Sequence, residues 1–243
     1  MKLFAPLLLL ALPALQPSTQ ADVLVLEDQQ AGAFLDLQQA IDAAPEGATL
    51  VLGEGDLGAF HISGKSLTLV RVASSTAVIR GSSSISGLAK DQSVVLRGLV
   101  LRGENSEVQA GRALLIEDSR GAVRLEDCDL AGGAGLPDTS GEDHGSGGAG
   151  LVLDGARNVA ISNTWIEGGA GASEGSFFGT GGEGGHAVLA IGSRVSLQST
   201  TCLAGDGGTS GTQGGDGGSG YSMQGTSRPG WQSRQGGRWR RRQ

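Results

Sequence analysis

Val123-Arg-Leu-Glu-Asp-Cys-Asp-Leu130, Val159-Ala-Ile-Ser-Asn-Thr-Trp-Ile166 and Val195-Ser-Leu-Gln-Ser-Thr-Thr-Cys202 are one stretch written three times, 36 residues apart. Each copy reads apolar, any residue, apolar, four spacers, apolar, and each runs into a glycine-rich segment. Self-similarity at such a period means one supersecondary unit stacked on itself, because a single unit cannot bury its apolar face alone. Val94, Leu96, Leu101 and Gly103 carry the same spacing 29 residues before Val123, Leu125, Leu130 and Gly132, so that coil lacks a long insertion. The strand core is kept while the inserted length varies, as when loops leave a solenoid at one corner.

Within a copy, Leu151-Val-Leu153, Val159-Ala-Ile161 and Trp165-Ile166 predict three short strands, with turns at 154–158 and 162–164. Period-two alternation turns Val159, Ile161 and Ile166 inward and Ala160 and Trp165 outward. Ile116 aligns with Val152 or with Leu153. Without its insertion the coil is about 22 residues long. The insertions, 132–148, 168–185 and 205–220, hold 7, 9 and 9 glycines. With so few apolar residues they are expected to form a mobile fringe.

Upstream, Phe34, Leu37, Ala40, Ile41 and Ala44 share one helical face, which predicts a helix over 34–44 ended by Pro45-Glu-Gly47. Leu50-Val-Leu52, Phe60 and Ile62 around His61, Leu67-Thr-Leu69 and Val78-Ile79 follow as short strands between turns. The predicted fold is therefore all-β: a parallel β-helix solenoid with three short strands per coil and an N-terminal capping helix.

Leu37-Gln-Gln-Ala-Ile-Asp-Ala-Ala44 followed by Gly47-Ala-Thr-Leu-Val-Leu-Gly-Glu-Gly55, then Ser66-Leu-Thr-Leu69 and Val78-Ile-Arg-Gly81, resemble the cap helix and first coils of the right-handed parallel β-helix, pectin-lyase-like superfamily. The resemblance spans about residues 30 to 221. It implies fold far more than function, because this architecture hosts lyases, hydrolases and adhesins alike.

Lyases of this resemblance hold Ca²⁺ on clustered acids. Glu126-Asp127-Cys128-Asp129 is the densest acidic cluster, making Asp127 and Asp129 candidate site residues. Their columns continue as Asn163 and Ser199, and as Trp165 and Thr201, so acid does not recur and a polar turn ladder is the plainer reading. Hydrolases of this resemblance carry Asn-Thr-Asp and Gly-His-Gly motifs. Here Asn163-Thr164 runs into Trp165, and His186 stands in Gly-Gly-His-Ala. His186, at a loop exit, is the third candidate; His61 and His144 read as strand-flank and loop residues. Gly181-Gly-Glu-Gly-Gly185 and Gly214-Gly-Asp-Gly-Gly218 resemble calcium-binding nonapeptide repeats but lack their tandem register, leaving calcium a secondary expectation and no other cofactor.

Lys2, the apolar run Phe4–Leu15, and Thr19 and Ala21 at −3 and −1 read as a signal peptide over 1–21. The run is too short to span a bilayer, and no later segment predicts a membrane span. The chain carries a net charge of −7, yet residues 222–243 hold six arginines and no acid, so the remainder is at −13. An acidic body argues against nucleic acid as partner. The basic tail reads either as a segment that binds anionic glycan or lipid, or as lost reading frame inside a longer β-helix. Cys128 and Cys202 lie two coils apart, roughly 10 Å at about 4.8 Å per coil. This exceeds the roughly 7 Å limit for a disulfide and predicts two free, mostly buried thiols.

Two functions follow as expectations. One is an exported, non-catalytic β-helix with a surface-display, structural or glycan-binding role, its partner a polysaccharide or cell-surface glycan. The other is a carbohydrate-active enzyme, lyase or hydrolase, with a groove along one sheet.

Overall fold

A strand with one buried face completes its hydrogen bonding through neighbours, and here each neighbour is the matching strand of the next coil. The computed structural model describes residues 23–26, 36–72, 75, 77–107, 109–137, 145–173, 180–209 and 215–224. Strand β1 (Val23–Leu26) and helix α1 (Leu37–Ala43) precede six rungs. These are β2 (Ala48–Leu52), β3 (Asp56–Gly58) and β4 (His61–Ser63); β5 (Leu67–Arg71), β6 (Val78–Arg80) and β7 (Ser83–Ser86); β8 (Ser93–Arg97), β9 (Val100–Arg102) and β10 (Leu114–Glu117). The last three are β11 (Ala122–Glu126), β12 (Asp129–Ala131) and β13 (Leu151–Asp154); β14 (Asn158–Ser162), β15 (Trp165–Glu167) and β16 (Val188–Ile191); β17 (Val195–Gln198), β18 (Thr201–Leu203) and β19 (Tyr221–Gln224). Like strands stack into three parallel sheets: β1-β2-β5-β8-β11-β14-β17, β3-β6-β9-β12-β15-β18 and β4-β7-β10-β13-β16-β19. The result is a right-handed parallel β-helix, the hand favoured for parallel crossovers.

The register places like residues over like. Leu50, Leu69, Leu96, Leu125, Ile161 and Leu197 form one inward column of the first sheet. All but Leu197 are essentially inaccessible. Ile62, Ile85, Ile116 and Leu153 form its counterpart in the third sheet, which fixes Ile116 opposite Leu153. Each such side chain contributes about 1.5–3 kcal/mol by leaving water. The helix is shorter than predicted: Asp36 is its N-cap, accepting from the Gln38 amide at 2.7 Å, and Phe34 lies outside the described residues. Leu37, Ala40 and Ile41 cover the first rung. Lys65 Nζ donates to the Ile41 and Asp42 carbonyls at 2.8 and 3.2 Å, satisfying the last turn.

Every rung's excursion leaves between the second and third sheets, the single corner expected. It grows from Gly81-Ser82 in the second rung to 103–113, 132–150, 168–187 and 204–220. Here the structure corrects the expectation of a mobile fringe. In the described parts, outgoing segments form one layer and returning segments a second, joined by backbone hydrogen bonds. Gly132 and Gly135 donate to Glu167 and Ala170 of the next outgoing segment; Gly147 and Gly150 donate to Glu183 and His186 of the next returning one. Gly133, Gly169 and Gly205 cross between layers to Gly111, Gly148 and Gly185. Partners recur every third residue, not every second, so these segments run with three residues per turn, as in polyproline-type helices, rather than as β-strands. The tips at 138–144, 174–179 and 210–214 lie outside the described residues.

Packing, not backbone conformation, demands the glycine. The described glycines with positive φ all sit at turns of the coil (Gly155 at 64° is one), and none lies between Gly132 and Gly150 or between Gly168 and Gly185. A Cβ on Gly168 would stand 1.9 Å from the Gly185 carbonyl oxygen, and one on Gly147 1.9 Å from that of Gly169. The two layers approach as closely as backbones can, the condition that also requires glycine at the axis of collagen.

Candidate functional site

Asp127 sits in the turn between the first and second sheets. Its φ is 54°, and Gly98, Asn163 and Ser199, above and below it, take 68°, 49° and 49°. This left-handed position admits glycine or a short polar side chain. The same constraint recurs between the third and first sheets, where Asp118 at 46° shares a column with Gly87, Gly155 and Gly192. The residue after it usually turns a hydroxyl or thiol back to the carbonyl two residues earlier. Thr164 Oγ1 reaches Ser162 O at 2.8 Å, Thr200 Oγ1 reaches Gln198 O at 3.0 Å, and Ser119 and Ser193 do likewise at 2.9 Å. Cys128 Sγ takes this role at 3.3 Å from Glu126 O. Asp127 is therefore one member of a turn ladder.

Asp129 points outward from β12, where Arg102 Nη1 and Nη2 grip both its oxygens at 2.9 and 2.6 Å. On the first sheet Arg97 Nε donates to Glu126 at 2.9 Å, and the guanidinium's pKa is raised chiefly by that bond. The acidic cluster is thus split among a turn and two cross-rung ion pairs. His186 lies at the end of a returning segment, and its Nδ1 accepts from the Ser219 amide at 2.9 Å, which makes Nδ1 the unprotonated nitrogen. Its column holds Ala149 below and Ser219 above, without a carboxylate. Asp127, Asp129 and His186 occupy a turn, a sheet face and a glycine layer, and they share no hydrogen bond. Among the described residues, no three His, Cys, Asp or Glu side chains gather as a metal site.

Both thiols are free, Cys128 buried and Cys202 half-buried. Burial pushes each up to about 11. The expected separation holds in register: Cys128 precedes β12, while Cys202 lies in β18, two rungs on. Trp165 is outward as predicted and 45% exposed; its Nε1 lies 3.4 Å from Glu167 Oε2.

Two constellations escaped the sequence reading. Against α1, Gln38 Oε1 accepts from the His61 amide at 2.7 Å and its Nε2 donates to His61 O at 3.0 Å. There, His61 Nδ1 lies 2.6 Å from Ser84 Oγ beside a shallow cleft that Asp42, Glu46 and Lys65 help to line. Hydrogen bonds from Ser66 hold the Glu46 carboxyl below its ordinary range. On the third sheet Glu117 and Asp154 pair in register, placing two outward carboxylates one strand apart. The signal for that pair was the alignment of Ile116 with Leu153, which sequence left unsettled. No family model, curated protein or solved structure matches the chain. Among the described residues no helix is long and apolar enough to cross a membrane.

Proposed function

We propose that this chain is an exported, non-catalytic β-helix scaffold of the pectin-lyase-like superfamily that binds glycan at the cell exterior. The observation that carries the reading is the employment of its chemically capable side chains. Asp127 makes a turn, Asp129 neutralises Arg102 and His186 caps a backbone amide, so each serves the coil. Glycines that no other residue can replace form a braced wall, which is an investment in rigidity and surface. Export rests on the leader-like residues 1–21, which lie outside the described residues. The test is incubation of the secreted chain with neutral and acidic polysaccharides, with and without Ca²⁺, following both retention and chain cleavage. Retention without new reducing ends or unsaturated products is expected; turnover of any polysaccharide overturns the non-catalytic reading.

One observation favours the alternative of a glycoside hydrolase. Neighbouring parallel strands lie about 4.8 Å apart, close to the roughly 5–5.5 Å separation of the two carboxyl groups in retaining enzymes. Glu117 and Asp154 hold that relation. If cleavage is found, Glu117→Gln and Asp154→Asn should each abolish it; cleavage that survives both moves the activity elsewhere.

A further inference from the structure

The second sheet and the outgoing glycine layer share one continuous outer face. From β15 it runs through Trp165 and Glu167, then continues at every third residue with exposed Ala170. Asp206 stands beside Ala170 on the next rung, joined through the Gly171–Asp206 backbone bond, and Ala131 and Ala134 lie on the rung before. The face is low and flat, with one large aromatic side chain rising from it. The glycines beneath are tied to neighbouring segments by backbone hydrogen bonds, and any added Cβ would meet backbone atoms near 2 Å.

We propose that this face binds a neutral glycan chain. Trp165 stacks against the apolar side of one sugar ring, Glu167 accepts hydrogen bonds from its hydroxyls, and Asp206, five positions further along the face, accepts from a later unit of the chain. This rests on the glycan-binding reading above and names its site and ligand class. An indole offers a rigid apolar platform at low entropic cost, and an immobile floor reduces the ordering that binding would otherwise require. Charge selects against uronates. The sheet's two arginines, Arg80 and Arg102, are held by Asp56 and Asp129 at 3.1 and 2.6 Å, and the charged side chains beside the indole, Asp129 and Glu167, are carboxylates, with Thr201 on the next rung. A protein partner fits less well. A stable protein interface buries about 800 Å² per side around a hydrophobic centre. Here a single aromatic stands among alanines and acids, with only Thr201 and the half-buried Leu203 on the next rung.

The test is affinity electrophoresis of the full secreted chain in gels containing hydroxyethylcellulose, xyloglucan, galactomannan or polygalacturonate. At least one neutral polymer should retard the chain and polygalacturonate should not. Trp165→Ala should weaken retardation at least tenfold, and Glu167→Gln by a smaller factor, with circular dichroism and melting temperature unchanged. Leu136→Ala, at another exposed apolar side chain, should bind as the parent does. If the parent is retarded and both Trp165→Ala and Glu167→Gln keep full affinity, the site is wrong while the glycan-binding function stands. Retardation by polygalacturonate alone overturns the ligand class. Retardation by none of the four overturns the function and this site together.

Discussion

Cys128 shows what a single turn position asks of a side chain. It needs a small group that can donate to the carbonyl two residues back, and threonine or serine does this elsewhere in the same turns. Cys128→Ser should therefore melt close to the parent. Cys128→Ala should lower stability by about 1 kcal/mol through the lost bond, and thermal denaturation separates the two. The thiols also set an alkaline limit. Burial raises both from an ordinary value near 9 to about 11. The native state thus holds these protons more tightly than the unfolded chain. Their contribution is intact below about pH 9 and is lost as pH rises towards 11. The melting temperature should be level from pH 7 to 9 and fall between 9 and 11, with a shallower fall in Cys128→Ser. An equal fall in that variant would show that other groups govern the decline.

At the scale of elements, the glycine layers make an internal control possible. Gly217 and Gly218 are neighbours in one returning segment. A Cβ on Gly218 meets the Gly185 carbonyl oxygen at 2.0 Å, whereas one on Gly217 finds nothing closer than 3.9 Å. Gly218→Ala should cost at least the roughly 1–3 kcal/mol typical of overpacking, while Gly217→Ala should be nearly neutral. Chemical denaturation of the pair reads the difference, and equal midpoints would contradict the layered packing. The strands were legible in the sequence because burial admits few residues: Val123, Val159 and Leu125, Ile161 announce their columns by apolarity alone. The left-handed turn was not, because Gly98, Asp127, Asn163 and Ser199 satisfy one backbone need with four side chains. The layers were hidden for a different reason. Their three-residue period is set by close approach between segments one rung apart, and no local pattern of burial reports that. Of the site, Trp165 was read as outward, but its platform depends on those layers and so could not be read with it.

For the whole molecule, the two ends of the stack are unlike. Helix α1 covers the first rung, whereas the described part of the last rung has neighbours on one side only. Leu197 is 40% exposed although its column mates below are buried, and Cys202 is half-buried where Ile166 beneath it is inaccessible. Burial raises both thiols to about 11, and the readier access to Cys202 favours its reaction. Iodoacetamide should label Cys202 several-fold faster than Cys128, as peptide mapping would show; equal rates would mean that the last rung is covered.

Because rungs four and five offer the same bonds upward that they accept from below, nothing inside the stack specifies how many there should be. Residues 159–194 amount to a cassette of 36 with matching ends, since Val159 and Val195 share a column. A second copy of it placed after Arg194 should lengthen the particle by about 4.8 Å and keep its cross-section, a change that solution scattering can measure. A duplication that sets a strand one residue out of register within its sheet has no such solution. It would turn that strand's apolar residues into water. The height of the stack is counted in whole rungs, whereas the chain spent on each rung can vary: matching strands lie 19 residues apart from β2 to β5 and 36 apart from β14 to β17.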